Sequence, residues 1–159
     1  MANSSCRFAA AGAGVAAGVV VGTLRAPLLG RELDLRPAGE WSEPHLVVDP
    51  APEDGPVLVV VEWCVPIEHH DRFREAMTFV ERARRRSGAR RWGLYRDGSE
   101  ATRFIEGYTV ATWEEHARQV ERLTVRDREI EDVARELASE PPRMRWFFSA
   151  APRRRGRLS

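Results

Sequence analysis

Two glutamates in β-favouring segments are the first candidates for chemistry. Glu62 and Glu106 each interrupt an otherwise apolar run of residues. If the two runs are neighbouring strands, their pairing could bring the carboxylates together, and shared burial would favour one proton shared between them. Such a pair could act as a general acid and base. The alternative, which we favour, is that each carboxylate pairs with a nearby arginine such as Arg103 or Arg145, or lies exposed at an edge of the sheet.

The histidines supply a further candidate. His116 is expected on the inward row of a helix, between Trp113 and Val120, where a general base or a ligand could lie. We favour the alternative of a histidine hydrogen-bonded within the core. His69 and His70 are adjacent, and adjacent helical residues point about 100° apart, so they cannot both bind one ion from one face. The sequence contains no HExxH, GxSxG, P-loop or Cys/His cluster, so we expect neither a metal nor a cofactor.

Arginine-rich segments are the last candidate feature. The net charge of +1 with 31% charged residues argues against nucleic acid as a partner of the whole chain. The arginines concentrate at Arg82, Arg84, Arg85, Arg86, Arg90 and Arg91, and at Arg153, Arg154, Arg155 and Arg157. These segments could bind anionic lipid headgroups or nucleic acid, and we favour lipid. The alternatives are a solvated helix face and, for residues 151–159, a basic disordered tail.

An uncharged amino-terminal segment predicts a membrane helix. Residues 8–24 lie between Arg7 and Arg25 and contain no charged side chain. A bilayer crossing needs about 20 mostly apolar residues, with about 17 as the lower limit. We therefore predict a transmembrane helix within residues 1–25. The arginines that follow it place the remainder of the chain in the cytoplasm.

The uncharged segment of residues 8–24 has two other interpretations. A cleaved signal peptide, cut near Ala26, remains open. Gly12, Gly14 and Gly18 imitate a phosphate-binding loop, but that motif requires a preceding strand and a βαβ unit, and Ser4–Arg7 is not a strand. The phosphate-loop interpretation is therefore rejected.

The elements that must position the candidate residues follow a proline-rich linker, residues 26–56. Alternation, amphipathic periodicity and two capping signals, at Thr112 and Thr124, define them. We predict strands at 57–65, 91–96, 103–110 and 143–148, a helix within 67–87, and a two-part helix from Thr112 to the prolines at 141–142. This β-α-β-β-α-β order is the ferredoxin-like α+β arrangement, with a four-stranded antiparallel sheet covered by helices on one face, over residues 57–150.

The second face of this sheet should also be apolar. In the first strand both alternating sets, one with Leu58 and Val60 and the other with Val59 and Val61, are apolar, and Phe147 adds to the last strand. An apolar face requires a cover. We therefore expect a homodimer that packs sheet against sheet.

Several short motifs in fixed order resemble one family over nearly the whole chain. They are Gly55–Val59 with Val61–Trp63, Arg91–Asp97, Thr112–Gln119 and Thr124–Asp127, preceded by Leu33–Leu35 and Trp41–Pro44. This series resembles the carboxy-terminal part of bacterial major facilitator superfamily exporters of the enterobactin-exporter-like, transmembrane secretion effector group. The resemblance implies that the soluble part is a dimeric α+β barrel domain of the antibiotic biosynthesis monooxygenase (ABM) type, fused to a transporter.

The resemblance also sets the functional hypotheses. A transporter of this group has about a dozen spans of about 20 residues, and the sequence has room for one. We therefore expect the carboxy-terminal piece of an exporter, arising from a truncated gene, a misplaced start or a deliberate fragment. The first hypothesis is a cytoplasmic, non-catalytic domain for dimerisation or regulation. The alternative is an ABM-like monooxygenase or small-ligand-binding enzyme.

Overall fold

The computed structural model describes residues 46–150. Its elements are β1 (Val57–Cys64), a 3₁₀ turn (Ile67–His69), α1 (His70–Arg86), β2 (Arg90–Arg96), β3 (Arg103–Val110), α2 (Trp113–Glu121), α3 (Val125–Glu136) and β4 (Arg143–Phe148). The predicted membrane helix, the first part of the predicted linker and the basic tail lie outside the described residues. Within residues 46–150, no helix is both long and apolar enough to cross a bilayer.

The four strands form one antiparallel sheet in the order β2-β3-β1-β4. The predicted α+β, ferredoxin-like fold is therefore confirmed. The β1 side chains of Val57, Val59, Val61 and Trp63 are buried on the helix-covered face. Val61 and Trp63 pack with Phe73 of α1, and Val57 and Val59 belong to a second cluster against which Trp113 of α2 packs. Strand alternation and the apolar row of α1 thus build the core between the sheet and the helices.

Two threonine caps divide the second helical region, as the sequence predicts. The Thr112 hydroxyl accepts a hydrogen bond from the Glu115 N–H at the start of α2. At the start of α3, Thr124 and Asp127 form a complete capping box. Because each cap satisfies backbone donors at a new helix start, the chain turns between α2 and α3 instead of forming one long helix.

The end of the predicted linker packs against α2. The N–H groups of Trp113 and Glu114 donate to the carbonyls of Asp54 (2.8 Å) and Pro52 (2.9 Å). Gly55 lies so close to β3's end that an added Cβ would be 2.1 Å from the Ala111 carbonyl oxygen. The last residues before β1 therefore belong to the folded domain.

The sheet face opposite the helices, called here the outer face, carries Leu58, Val60, Glu62, Tyr95, Arg103, Ile105, Arg145 and Phe147. The Leu58, Phe147 and Tyr95 residues are 39%, 48% and 64% exposed. Leu58 and Phe147 are cross-strand partners, so their side chains stand side by side. The outer face is thus partly apolar, as the alternation in β1 and β4 predicts.

Candidate functional site

A cavity of about 350 Å³ lies between the sheet and the helices. Its walls include Arg84 of α1, Tyr108 of β3, His116 and Gln119 of α2, Glu131 of α3 and Met144 of β4. The turn between α2 and α3 also borders the cavity, through Leu123. The two-part helix therefore leaves a cavity over the sheet, and both polar and apolar side chains line it.

Arg84 is the central charge beside this cavity, and it is buried. Its Nε donates to Glu106 Oε1 at 3.1 Å, and its other end donates to Glu131 Oε2, also at 3.1 Å. The guanidinium lies 5.5 Å from the centre of the Tyr108 ring. Burial opposes the charge of Arg84, but Glu106, Tyr108 and Glu131 outweigh it and raise the pKa. Arg84 therefore links α1, β3 and α3 as a permanent cation.

The placement of Arg84 corrects the sequence interpretation of the first arginine-rich segment. The sequence predicts a solvated or lipid-binding face for that segment, but Arg84 is only 5% exposed. The sequence did carry a signal, because Arg84 lies four residues after Val80 and seven after Met77, on the apolar row of α1. An arginine on such a row implies a buried acidic partner.

Glu106 and Glu62 lie on opposite faces of the sheet. In the β1–β3 register Glu106 stands opposite Val61, and Glu62 stands opposite Ile105. Residues one position apart in register point to opposite faces. The structure therefore does not bring the two carboxylates together, and the shared-proton pair is not formed.

Each of these carboxylates has arginine partners instead. Glu62 contacts Arg103 at 3.1 Å and Arg145 at 3.3 Å, the two arginines that the sequence suggested. The buried Glu106 contacts Arg84, and its Oε1 also accepts the Trp92 indole N–H at 3.0 Å. Its Oε2 has no hydrogen-bond partner among the described residues. The prediction of an arginine partner is therefore correct for both glutamates. The arginines named in advance, Arg103 and Arg145, contact only Glu62.

His116 is buried and its two ring nitrogens are both engaged. The Trp146 indole N–H, which can only donate, approaches Nε2 at 2.8 Å. Nε2 must therefore be unprotonated, and Nδ1 carries the hydrogen that points toward Gln119 Oε1 at 3.4 Å. Burial and the nearby Arg84 charge lower the pKa of His116 to about 4, against the opposing effect of the Gln119 hydrogen bond. The imidazole is therefore neutral and connects α2 to β4.

Tyr108 is a cavity residue that sequence reasoning missed. It is buried in β3, and burial raises the pKa of its phenol to about 12. The phenol therefore stays protonated next to the Arg84 charge. Tyr108 lies two residues after Glu106 on the same face of β3, so alternation within this strand was the available signal.

His69 and His70 hold the start of α1 in place. His69 Nδ1 lies 3.1 Å from the Leu137 carbonyl, and His70 Nε2 lies 3.2 Å from the Val65 carbonyl. A carbonyl only accepts, so each of these nitrogens carries a hydrogen. The two side chains point to different carbonyls and do not converge on one position.

The charged and polar groups around the cavity are therefore largely engaged with one another. For His116 to take a proton at Nε2, the Trp146 hydrogen bond must first break. Oε2 of Glu106 has no hydrogen-bond partner among the described residues, but Glu106 is fully buried and does not line the cavity, so a molecule in the cavity does not reach this oxygen. The arrangement is suited to binding a molecule of moderate polarity and poorly suited to proton transfer.

Comparison with solved structures shows the same fold in three bacterial proteins that carry the provisional name antibiotic biosynthesis monooxygenase. The protein from Nitrosomonas europaea is 20% identical, with a TM-score of 0.52 over 62% of this chain and 94% of that one. The Bordetella bronchiseptica protein is 16% identical, with a TM-score of 0.53 over 61% and 99%. The Caulobacter crescentus protein is 12% identical, with a TM-score of 0.54 over 62% and 93%.

These three proteins consist almost entirely of the shared fold. A comparison with curated proteins finds no match. The sequence of residues 2–154 matches the family described as transmembrane secretion effector. Because this match covers nearly the whole chain, the protein belongs to the transmembrane secretion effector family of the major facilitator superfamily.

Proposed function

We propose that residues 57–150 are a self-associating, non-catalytic domain of an exporter-family membrane protein. In this proposal residues 8–24 anchor the chain in the cell membrane and the domain lies in the cytoplasm. The single observation that carries the proposal is the partly apolar outer face of the sheet. A second copy of the same face is the partner that we propose.

The outer face has the composition of a self-complementary interface. Leu58 and Phe147 form an apolar pair, and covering each of them contributes about 1 kcal/mol. The ion-paired Glu62 and Arg145 lie on the same face, so it presents both signs of charge. In an isologous contact the same face meets its own copy, so a face that carries both signs of charge can be electrostatically complementary to itself.

The non-catalytic part of the proposal rests on the engaged state of the candidate groups. Glu62 is held by two arginines and His116 by Trp146 and Gln119. Glu106 has its Oε1 held by Arg84 and Trp92, and its Oε2, which has no hydrogen-bond partner among the described residues, is buried away from the cavity. A catalytic base needs a free position toward its substrate.

Self-association is tested by light scattering and sedimentation of residues 46–150. We expect a dimer at micromolar concentration, and a monomer after Leu58→Glu or Phe147→Glu. Ile67→Glu is the matched control, because Ile67 is 64% exposed but lies in the 3₁₀ turn, away from the sheet. A wild-type monomer at high micromolar concentration would refute the proposal, as would a Phe147→Glu dimer of unchanged affinity.

The cavity supports a second candidate function, binding or oxidation of a small organic molecule by an ABM-like mechanism. A volume of about 350 Å³ fits a small ligand, and the protonated Tyr108 phenol and the neutral His116 are suited to uncharged, hydrogen-bonding compounds.

This second candidate is tested with a hydroquinone as the probe. Oxygen consumption above the buffer rate would favour the enzyme, and quenching of tryptophan fluorescence without oxygen consumption would favour a binding domain. Tyr108→Phe should weaken either signal about tenfold, since one buried hydrogen bond is lost. The exposed Tyr95→Phe is the control. Absence of both signals would refute the candidate.

A further inference from the structure

We infer that one end of the domain contacts anionic phospholipid headgroups through Arg82, Arg90 and Arg91. This end comprises the last turns of α1, the start of β2 and the chain segments that enter and leave the sheet. The inference rests on the membrane anchor proposed above and is independent of self-association through the outer face.

The sheet topology places both chain connections at this end. The Ser149 N–H donates to the Pro56 carbonyl at 3.2 Å, so the chain enters β1 and leaves β4 at neighbouring positions. β2 begins at the same end of the sheet, because Arg90 pairs with Thr109 near the end of β3. The linker toward the predicted membrane segment and the arginine-rich sequence of residues 153–157 therefore both attach here.

The exposed arginines at this end are of two kinds. Some are neutralised locally, in the pairs Arg85–Glu81, Arg86–Asp127, Arg118–Glu114 and Arg122–Glu115. By contrast, Arg82, Arg90 and Arg91 are exposed and have no acidic side chain within ion-pair distance among residues 46–150. Arg82 lies over the Phe79 ring, at 5.6 Å from its centre. These three guanidinium groups are available for an external anion.

An open groove lies beside Arg90, one of these three arginines. Its volume is about 490 Å³, and it is bordered by Arg85, Gly88, Arg90, Thr112 and Glu115. Glu115 is the acidic group in this border, and it is already paired with Arg122 at 2.9 Å. The groove has room for a glycerophosphate headgroup next to Arg90. Arginine suits this role because its planar fork of donors matches phosphate oxygens.

Because the proposed anchor tethers the domain to the membrane, a weak contact with lipid headgroups is sufficient to orient it. Each arginine near an anionic bilayer strengthens binding about fivefold, so Arg90 and Arg91 together account for about 25-fold. A domain joined to the membrane by its own chain experiences a high effective lipid concentration, and a modest affinity then orients it. We therefore expect Arg82, Arg90 and Arg91 to face the bilayer.

The experiment uses residues 46–159, which include the complete described domain. Flotation with vesicles of phosphatidylcholine alone, and with one third phosphatidylglycerol, measures binding at low ionic strength. We expect binding to the anionic vesicles only, and a decrease of about 25-fold for Arg90→Gln/Arg91→Gln. Arg72→Gln/Arg96→Gln is the matched control: it removes the same charge at the start of α1 and the end of β2, at the opposite end.

The outcomes separate the possible sources of binding. Equal losses in the two double variants would overturn the inference, because net charge alone would then explain binding. Equal binding to uncharged vesicles would also overturn it, in favour of the outer face as the lipid contact. Selective displacement by inorganic phosphate, compared with chloride at equal ionic strength, would indicate a free-phosphate site instead. Binding of single-stranded RNA without vesicle binding would replace lipid by nucleic acid. Thermal unfolding of each variant verifies that it is folded.

Discussion

Substitution of Arg84 by methionine tests the charge arrangement beside the cavity. Methionine fills much of the volume of the arginine stem but leaves Glu106, which is 0% exposed, without its cation. Breaking a buried ion pair by removing one partner costs about 3–5 kcal/mol. Glu131 loses its Arg84 contact as well but keeps Arg135 at 2.5 Å. We therefore expect Arg84→Met to lower the free energy of unfolding by about 3–5 kcal/mol at neutral pH.

The neighbouring Arg85 provides the control. Its pair with Glu81 joins side chains that are 51% and 32% exposed, in helical i, i+4 spacing. Solvent screens such pairs, which contribute about 0.3–0.5 kcal/mol. Arg85→Met should therefore change the unfolding free energy by less than about 1 kcal/mol. Urea denaturation of residues 46–150 measures both variants under the same conditions.

A double-mutant cycle separates the ion pair from packing. Glu106→Leu together with Arg84→Met removes both charges, so neither group is left buried without a partner. Replacing a whole buried pair by apolar side chains is often neutral or stabilising. The double variant should therefore be more stable than Arg84→Met alone by about 2 kcal/mol or more. Additive costs, or a cost below about 1 kcal/mol for Arg84→Met, would refute this account of Arg84.

Two further predictions concern a pH dependence and a close backbone contact. Between pH 6.5 and about 4 the unfolded chain protonates His116 and the folded domain does not, so stability should fall by up to about 3 kcal/mol as the pH is lowered through this window. Because His116→Gln lacks this titration, the unfolding free energy of wild type minus that of the variant should decrease by up to about 3 kcal/mol as the pH falls through this window. Gly55→Ala should cost about 1–3 kcal/mol in the same urea assay, because the new Cβ would collide with the Ala111 carbonyl. Gly98→Ala, where a Cβ meets nothing within 4 Å, should stay close to wild type.

Local patterns were sufficient to predict the fold. The strand alternation, the apolar row of α1 and the caps at Thr112 and Thr124 depend on residues within one or two turns of each other, and each has a direct counterpart in the structure. The order of these elements then left the ferredoxin-like sheet as the simplest arrangement. Apolar alternation in β1 likewise predicted that Leu58 lies on the face without helices.

The candidate site depended on register, which such patterns do not specify. A shift of one residue between β1 and β3 would place Glu62 and Glu106 on the same face, and no local sequence pattern favours either register. The partners of Arg84 come from β3 and α3, which are 22 and 47 residues away in the chain. Contacts at these separations are decided by tertiary packing, so the sequence indicated the polar residues without indicating their pairing.

The engaged polar groups also explain how a cavity can persist in a small domain. Arg84 joins α1 to β3 and α3, and His116 joins α2 to β4 through Trp146. These connections fix the two-part helix over the sheet at positions where apolar packing is incomplete. A molecule that enters the cavity must either contact the cavity-facing atoms of these groups or displace their hydrogen bonds. Displacement leaves buried polar atoms without a partner, which costs about 1–3 kcal/mol for each atom. A ligand of this cavity should therefore bind around the Arg84 and His116 connections, and a ligand that breaks them should destabilise the attachment of α2.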